Sequence, residues 1–385
     1  MELLYLSHCV PNPPDKGEKI RAFHELSFLA ARHRVHLSCF ARTEQEMEDA
    51  RALLDRCASV YVAPLFPFPL HLARAGARFL LGGSLNDSFY SSRRFSQDLL
   101  ALLESRPMAG AVAYTAVMAP FVPAGMPFVL DMTDVDSEKW RAYAAHRKPS
   151  FLFQTEAKRL VKLELREARR ARLTLLTTAA ERDVLLRLDP GLRCQVLENG
   201  VDFGFFDPQR CPQDASLTRR RYLLFCGTLG YYPNEQGITE FARGVFPRLR
   251  ERDPRLELLV VGRDPAPRVL ALAAVPGVEV VGGVADVRPY YRHALATVVP
   301  LRIARGIQNK VLESLAMDRP VLASPAVCAT FGERLPTGVV PCRSPEDYAT
   351  PPPQGGIRRA AMERFSWKNN LAVLDRAVGG LLENP

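Results

Sequence analysis

Two cations and a carboxylate surround the start of a predicted helix. An apolar strand leads into a loop that contains Arg305 and Gly306, and a helix that carries Lys310 and Glu313 follows. The first N–H groups of a helix and the positive end of its dipole bind phosphate, and the two cations add charge at the same point. The spacing predicts a site for a nucleotide diphosphate, in which Arg305 and Lys310 stabilise a departing diphosphate.

The main-chain N–H groups expected to contact these phosphates belong to Ile307, Gln308 and Asn309. Glu313, one turn into the helix, would accept two hydrogen bonds from the vicinal hydroxyls of a ribose. A second interpretation stays open, in which Glu313 caps the helix or pairs with Lys310 three residues earlier.

Other strand ends in the same half of the chain carry glycine or a polar side chain. Gly227 follows an apolar strand, and Asn234 could cap the next helix. Gly262 makes a second turn, with Arg263 as a candidate phosphate ligand. Asp286 follows a third strand, in a position where it could contact the base or the ribose of a nucleotide. We expect these residues to bind the donor, although an ordinary strand-to-helix turn would look the same.

A basic loop begins a helix in the first half of the chain. It contains Lys16, Gly17, Lys19 and Arg21. Gly17 is a candidate contact for donor phosphate, and the three basic side chains are candidate acceptor ligands. A solvated run of charge is the alternative.

Three acids follow another apolar strand, namely Asp131, Asp134 and Asp136. Such a group could hold a metal, act as a general base or cap a helix. Metal binding fits least, because no histidine or further acid stands at a ligand spacing. We expect Asp131 to bind acceptor and Asp134 or Asp136 to be the base, with capping left open.

The elements that must position these residues alternate between strand and helix along the chain. This order predicts an α/β protein made of two Rossmann-like, doubly wound domains that face a cleft. We expect an acceptor-side domain over residues 1–207, a linker at 208–220 and a nucleotide-binding domain over 221–365. Residues 366–385 are predicted to form a helix that packs back on the first domain.

Composition supports a folded protein with an anionic ligand. The 385 residues are 47% hydrophobic and 24% charged, and most of the net charge of +9 follows residue 207. The eight cysteines show no metal or disulfide spacing, and no apolar run is long enough to span a bilayer. No signal peptide is evident, so we expect a cytoplasmic protein that binds no nucleic acid.

Two segments mix apolar and basic residues. One spans 65–81, and the other is a basic helix over about 154–172. They are consistent with peripheral binding to anionic lipid at the inner membrane face, or with a core helix that has a solvated face.

Taken together, these motifs resemble a retaining glycosyltransferase of the GT-B fold, the class that includes enzymes similar to sucrose synthase and to lipopolysaccharide mannosyltransferases. The matching segments are the Gly17 loop, 198–202 with 206–208, the Gly227 and Gly262 turns, Asp286, 306–313 with Ala316, and 320–321. The resemblance implies a nucleotide diphosphate sugar as donor, no obligatory metal and no other cofactor.

A narrower resemblance links residues 12–21, 130–140 and 231–234 to bacterial sugar transferases associated with PEP-CTERM/exosortase systems. It implies a role in exopolysaccharide production and a glycan or lipid-linked acceptor. The chain departs from the class where a glutamate is usual, because that position holds Arg305. The usual Arg and Lys after the Gly227 turn are also replaced, so we infer that Arg305 and Lys310 supply those charges.

The expected activity is therefore sugar transfer with retention at the anomeric carbon, in which the departing phosphate helps to deprotonate the acceptor. The alternatives are a nucleotide-sugar epimerase of the same fold and a catalytically silent scaffold. An epimerase would need catalytic histidine and acid groups that the motifs do not show.

Overall fold

The computed structural model describes residues 1–349 and 355–383, which form two compact units. The first unit comprises residues 1–197 together with the segment from Leu371 onward, and the second comprises 198–370. Each unit is a parallel sheet with helices.

Among the residues that the structure describes, thirteen strands form the two sheets. They are β1 Glu2–Ser7, β2 Arg34–Ala41, β3 Ser59–Pro64, β4 Gly110–Tyr114, β5 Phe128–Thr133, β6 Leu173–Leu176, β7 Cys194–Val196, β8 Tyr222–Cys226, β9 Glu257–Val261, β10 Val278–Gly282, β11 Ala296–Val299, β12 Val321–Ala323 and β13 Val339–Pro341.

The α-helices connect and cover these strands. They are α1 Gly17–Ala30, α2 Glu44–Asp49, α3 Phe68–Leu80, α4 Leu85–Tyr90, α5 Arg93–Ser105, α6 Asp136–His146, α7 Ser150–Arg170, α8 Ala179–Leu188, α9 Ala215–Thr218, α10 Tyr232–Glu240, α11 Phe246–Arg252, α12 Pro267–Leu270, α13 Arg288–His293, α14 Asn309–Ala316, α15 Pro325–Ala329, α16 Ile357–Phe365, α17 Trp367–Asn370 and α18 Ala372–Glu383. Short 3₁₀ segments occur at Ala50–Leu53, Ala119–Phe121, Ala271–Ala274 and Pro345–Tyr348, and a π-helical turn at Phe241–Val245.

The first sheet has the order β3-β2-β1-β4-β5-β6-β7, with every neighbouring pair parallel. Its central strands are apolar and buried along their length, as expected for a sheet covered on both faces. Successive strands run outward in one direction from β1 and in the other from β4. The β1/β4 junction is therefore the point where the strand order reverses.

The second sheet has the order β10-β9-β8-β11-β12-β13 and is also parallel. The strand order reverses between β8 and β11. Apolar side chains from α10, α14 and α16 pack on this sheet in one continuous core. None of the helices among the described residues combines the length and apolar character that crossing a membrane requires.

The unit boundary differs from the predicted one. It falls at residues 197 and 198, ten positions before the expected end of the first domain. The expected linker at 208–220 lies inside the second unit, because Cys211 and Leu217 are buried with Tyr222 and Tyr291. The expected helix over 366–385 is two helices, α17 and α18, in the part of this segment that the structure describes, which ends at residue 383. Only α18 belongs to the first unit, where it packs on β4 and β5.

Candidate functional site

The carboxyl ends of β8 and β11 place two loops side by side in the second unit. Residues 227–231 follow β8, and residues 300–308 follow β11 and lead into α14. Open parallel sheets bind ligands outside the point where their strand order reverses. The predicted donor residues therefore lie where this topology favours a ligand.

Two glycines let the turns after β8 and β9 touch through their main chains. Gly262 has φ +152°, and a Cβ built there would lie 1.7 Å from the carbonyl oxygen of Gly227. Gly227 has φ +153°, and its own Cβ would lie 2.9 Å from Lys310 Nζ. The Gly227 N–H also donates to Val261 O at 3.1 Å. Glycine at 262 thus lets the main chain of Gly227 approach, and glycine at 227 makes room for the Lys310 side chain.

Lys310 lies in the first turn of α14 and is almost fully buried. Its Nζ donates to Asn234 Oδ1 at 2.6 Å and lies 4.7 Å from the ring centroid of Phe225. Asn234 is in turn fixed by a bond from its Nδ2 to Thr228 O at 2.8 Å. Burial lowers the pKa of Lys310 to about 8, because few surrounding groups replace the water that a charged ammonium needs. An anion bound beside it would restore that stabilisation.

The start of α14 receives no hydrogen bond from the side chain of its N-cap residue, Gln308. That side chain instead donates to Arg305 O at 3.1 Å and bends the preceding loop. Asn199 supports the same turn, because its Nδ2 lies 3.4 Å from Ile307 O and 3.4 Å from Asn309 Oδ1. The early N–H groups of the helix are thus positioned without being capped from Gln308.

Glu313 lies one turn further along α14, where it is half-buried and accepts a hydrogen bond from Tyr291 Oη at 2.7 Å. Burial raises the pKa of this carboxyl. Tyr291 occupies one of about four acceptor positions of the carboxylate, which leaves capacity for a diol. The structure therefore keeps the ribose role of Glu313 open.

The remaining predicted donor residues lie in different settings. Arg305 is half-buried in the loop before α14, beside Gly306, and Arg263 is exposed after β9. Asp286 forms an ion pair with Arg288, whose Nη2 lies 2.6 Å from Asp286 Oδ2. Although burial opposes it, this bonding lowers the pKa of Asp286. Asp286 also accepts the Arg288 N–H at 2.9 Å at the start of α13, which gives it a structural role, and its contact with donor stays a prediction.

Three predicted acceptor ligands are buried in ion pairs of the first unit. Arg21 donates to Asp131 through Nε at 2.6 Å and Nη2 at 2.8 Å, and both side chains are inaccessible. Arg21 Nη1 also donates to Leu197 O at 2.7 Å. Lys19 pairs with Glu46 at 2.8 Å, and it too is buried. These contacts correct the predicted roles of Lys19, Arg21 and Asp131, because burial in the core leaves them no surface for an acceptor.

The two candidate bases differ from each other. Asp134 follows β5 and accepts a hydrogen bond from Thr177 Oγ1 at 2.6 Å, and burial raises its pKa, as a general base at neutral pH would need. Asp136 is the first residue of α6 and pairs with Lys139 in the next turn. Asp136 therefore lies at the positive end of the α6 dipole, and the role of Asp134 or Asp136 as a base stays a prediction.

Other polar residues meet at the β1/β4 junction. Lys16 is the half-buried N-cap residue of α1, and Gly17 is its first residue. Beside them, His8 Nε2 lies 3.3 Å from Glu18 Oε2, and His8 Nδ1 lies 3.4 Å from Thr115 Oγ1. This group was not predicted from the sequence, although His8 directly follows a strand. Asn199 was not predicted as a site residue either, although it belongs to the segment 198–202 that resembles GT-B glycosyltransferases.

Metal ligands were not expected from the sequence. Among residues 1–349 and 355–383, the structure brings together no group of three or more His, Cys, Asp or Glu side chains suited to hold an ion. Independence from metal stays a prediction.

Comparison with known proteins gives the same fold. Residues 220–350 match the family model described as glycosyl transferases group 1. The chain is similar to sucrose-phosphate synthase from Thermosynechococcus elongatus, with a TM-score of 0.66, 15% identity and all of both chains covered. It is also similar to Anabaena Alr3699/HepE in complex with UDP-glucose, with a TM-score of 0.66, 14% identity, and 99% of this chain and 100% of that chain covered.

A third similar structure is WaaG, a glycosyltransferase involved in lipopolysaccharide biosynthesis. Its TM-score is 0.60 at 14% identity, with 100% of this chain and 96% of that chain covered. No curated protein sequence is significantly similar to the chain. The predicted α/β class with two Rossmann-like units of GT-B type is confirmed, and the family match together with the fold supports a glycosyltransferase.

Proposed function

We propose that this protein transfers a sugar, with retention at the anomeric carbon, from a nucleotide diphosphate sugar to a glycan or lipid-linked acceptor in exopolysaccharide biosynthesis. The observation that carries the proposal is the buried Lys310 ammonium at the start of α14, enclosed by the Gly227 and Gly262 turns. A buried cation beside helix N–H groups is a site built for an anion. The UDP-glucose complex of the similar Anabaena protein supports a diphosphate as that anion.

The proposed chemistry depends on stabilising the leaving group. The bond from the anomeric carbon to the terminal phosphate oxygen breaks, and negative charge builds on the departing diphosphate. Lys310 and the first N–H groups of α14 would stabilise that charge, with Arg305 as a second cation. The acceptor oxygen bonds to the same face of the carbon, and its proton passes to the departing phosphate.

Nucleotide binding tests the donor site first. Calorimetric titration with UDP, GDP and ADP should show binding to at least one of them. Lys310→Met, which removes the charge but keeps most of the volume, should weaken that binding at least about tenfold, because a charge-assisted contact contributes about 1.5–3 kcal/mol. Lys368→Met is the matched control, since Lys368 is exposed in the same unit. Unchanged affinity in Lys310→Met would contradict the proposal.

Turnover separates transfer from the alternatives. The protein is incubated with nucleotide sugars, with and without a bacterial membrane lipid extract as acceptor, and nucleoside diphosphate is measured. Release that depends on acceptor supports transfer, and NMR of the product's anomeric proton tests retention. Interconversion of nucleotide sugars without release would identify an epimerase. Binding without turnover would identify a scaffold.

A further inference from the structure

The first unit exposes apolar side chains in a segment that contains no acid. No Asp or Glu occurs between Asp55 and Asp87, and α3 lies in this interval. Most large apolar side chains of the protein are buried, yet Leu80 and Leu81 at the end of α3 are 86% and 88% exposed. Adjacent leucines in full contact with water carry a free-energy cost that a partner surface would remove.

Helix α3 is nevertheless firmly packed. Ala75 and Phe79 are buried, and the ring of Phe68 lies 5.3 Å from that of Phe89 on α4. The Arg159 guanidinium of α7 lies 4.2 Å from the centroid of the Phe79 ring. The leucines on the outer side are therefore presented by a fixed helix.

The first turn of helix α7 also exposes apolar side chains, and α7 packs against α3. Its residue Arg159 donates to Phe79 O at 2.6 Å and to Gly83 O at 2.7 Å, which places the end of α3 against α7. Phe151 and Leu152 lie in the first turn of α7, about 10–12 Å along its axis from Arg159. Phe151 is 64% exposed.

These side chains define what we term the α3–α7 surface. Its apolar members are Leu70, Leu80, Leu81, Phe151 and Leu152. Arg74 and Arg78 are exposed on α3, and Lys148 is exposed just before α7. The segment between Glu138 and Glu156 that leads into this helix also contains no acid.

We propose that the α3–α7 surface docks on a bilayer that contains anionic lipid. Leucine and phenylalanine on a helix face enter the acyl boundary, while the long arginine and lysine side chains reach the headgroups. The excess of positive charge attracts anionic lipid, whereas a second copy of the chain would present the same sign of charge and repel. The surface lies wholly in the first unit. Its role in function rests on the proposed function, because docking on a bilayer would bring the protein to a lipid-linked acceptor.

Vesicle flotation tests the surface directly. The full chain is mixed with phosphatidylcholine vesicles or with vesicles that contain 30% phosphatidylglycerol, at low and at high salt. We expect flotation with the anionic vesicles and its loss at high salt. Leu80→Ser/Leu81→Ser should reduce the bound fraction at least about tenfold, because two leucines no longer enter the bilayer. Leu270→Ser, an exposed leucine of the second unit, should leave it unchanged.

Charge is tested separately. Arg74→Glu/Arg78→Glu should weaken binding to anionic vesicles at least about 25-fold, since each basic residue near the surface contributes about fivefold. Arg243→Glu/Arg248→Glu, which changes two exposed arginines of the second unit, is the matched control.

Several results would overturn the proposal. The first is a wild-type chain that stays at the bottom of the gradient at low salt, and the second is flotation of the leucine variant at the wild-type level. The third is a dimer, detected by light scattering, that this variant dissociates, because it would assign the surface to a second copy. UDP, GDP and ADP titrations of the same variants should match the wild type. Failed flotation with intact nucleotide binding would reject the surface alone, whereas failure of the Lys310 test leaves the flotation result unaffected.

Discussion

Raising the pH should weaken diphosphate binding through the deprotonation of Lys310. In the free protein, burial lowers the pKa of this amine to about 8, from an ordinary value of 10.5. A diphosphate beside the ammonium favours the charged form and raises that pKa again. The protein must therefore be protonated at Lys310 to bind well, and above pH 8 a growing fraction of it is not.

The size of this effect follows from the titration of one group. With a pKa of about 8, Lys310 is about 76% protonated at pH 7.5 and about 9% protonated at pH 9.0. If only the protonated form binds, the dissociation constant rises about eightfold between these values, which corresponds to about 1.3 kcal/mol. The diphosphate group itself completes its ionisation near pH 7, which sets the lower end of the range.

Titration calorimetry at pH 7.5, 8.0, 8.5 and 9.0 measures this slope. Buffers of different ionisation enthalpy should also reveal proton uptake on binding, largest near the upper end of the range. Lys310→Met should bind weakly at every pH with a flat profile. A flat wild-type profile, or the same slope in Lys310→Met, would refute the assignment of the ammonium to the diphosphate.

Three further predictions concern stability. The unfolded chain keeps the Lys310 proton up to about pH 10.5, whereas the folded protein loses it near pH 8. In urea unfolding, the free energy of unfolding of the wild type should therefore rise by about 3 kcal/mol relative to that of Lys310→Met between pH 8 and 10.5. An unchanged difference between the two proteins would contradict the lowered pKa. Gly262→Ala should cost more than about 2 kcal/mol, since its Cβ would lie 1.7 Å from a main-chain oxygen, whereas Gly244→Ala, with nothing within 4 Å, should change stability by less than about 1 kcal/mol in the same assay. Arg21→Met or Asp131→Asn should each lower the free energy of unfolding by about 3–5 kcal/mol, because each breaks a buried ion pair. Both variants should keep the wild-type kcat/KM per folded molecule. A raised KM for the acceptor would instead support the predicted role of these residues as acceptor ligands.

Local sequence patterns were sufficient to identify several strands and helices. The apolar runs at 222–226 and 296–299 are strands β8 and β11, and the amphipathic run at 93–105 is helix α5. Each is a clear apolar or amphipathic run that turn or capping residues delimit, so the chain's local preference and its final environment agree.

Helix α3 was not placed from sequence because its apolar residues serve two environments. Ala75 and Phe79 are buried, but Leu80 and its neighbour Leu81 lie in water. The helix is amphipathic, with Arg74 and Arg78 on its polar side, but several of its apolar side chains lie in water and not in the core. The proposed lipid contact would explain why they are exposed.

The partners within the site also lay beyond sequence reasoning. Lys310 bonds to Asn234, 76 positions earlier, and Arg21 bonds to Asp131, 110 positions later. Residue type identified all four as chemically capable. Which of these residues meet depends on the order of strands in each sheet, and the local sequence does not give that order. It places Lys310 and Asn234 in the candidate site and Arg21 and Asp131 in the core of the first unit.

Helix α18 follows the second unit in the chain but packs in the first, and this affects both folding during synthesis and the choice of truncated fragments. Leu374, Val378 and Leu381 are buried, and a Cβ at Gly110 would lie 3.0 Å from Leu381 Cδ1, so α18 packs against the amino-terminal end of β4. During translation the sheet of the first unit is therefore not covered here until α18 has left the ribosome. A fragment that stops at residue 197 would expose the apolar surface that α18 covers, and we expect that fragment to aggregate. The same fragment fused to residues 371–385 would include α18 and should aggregate less.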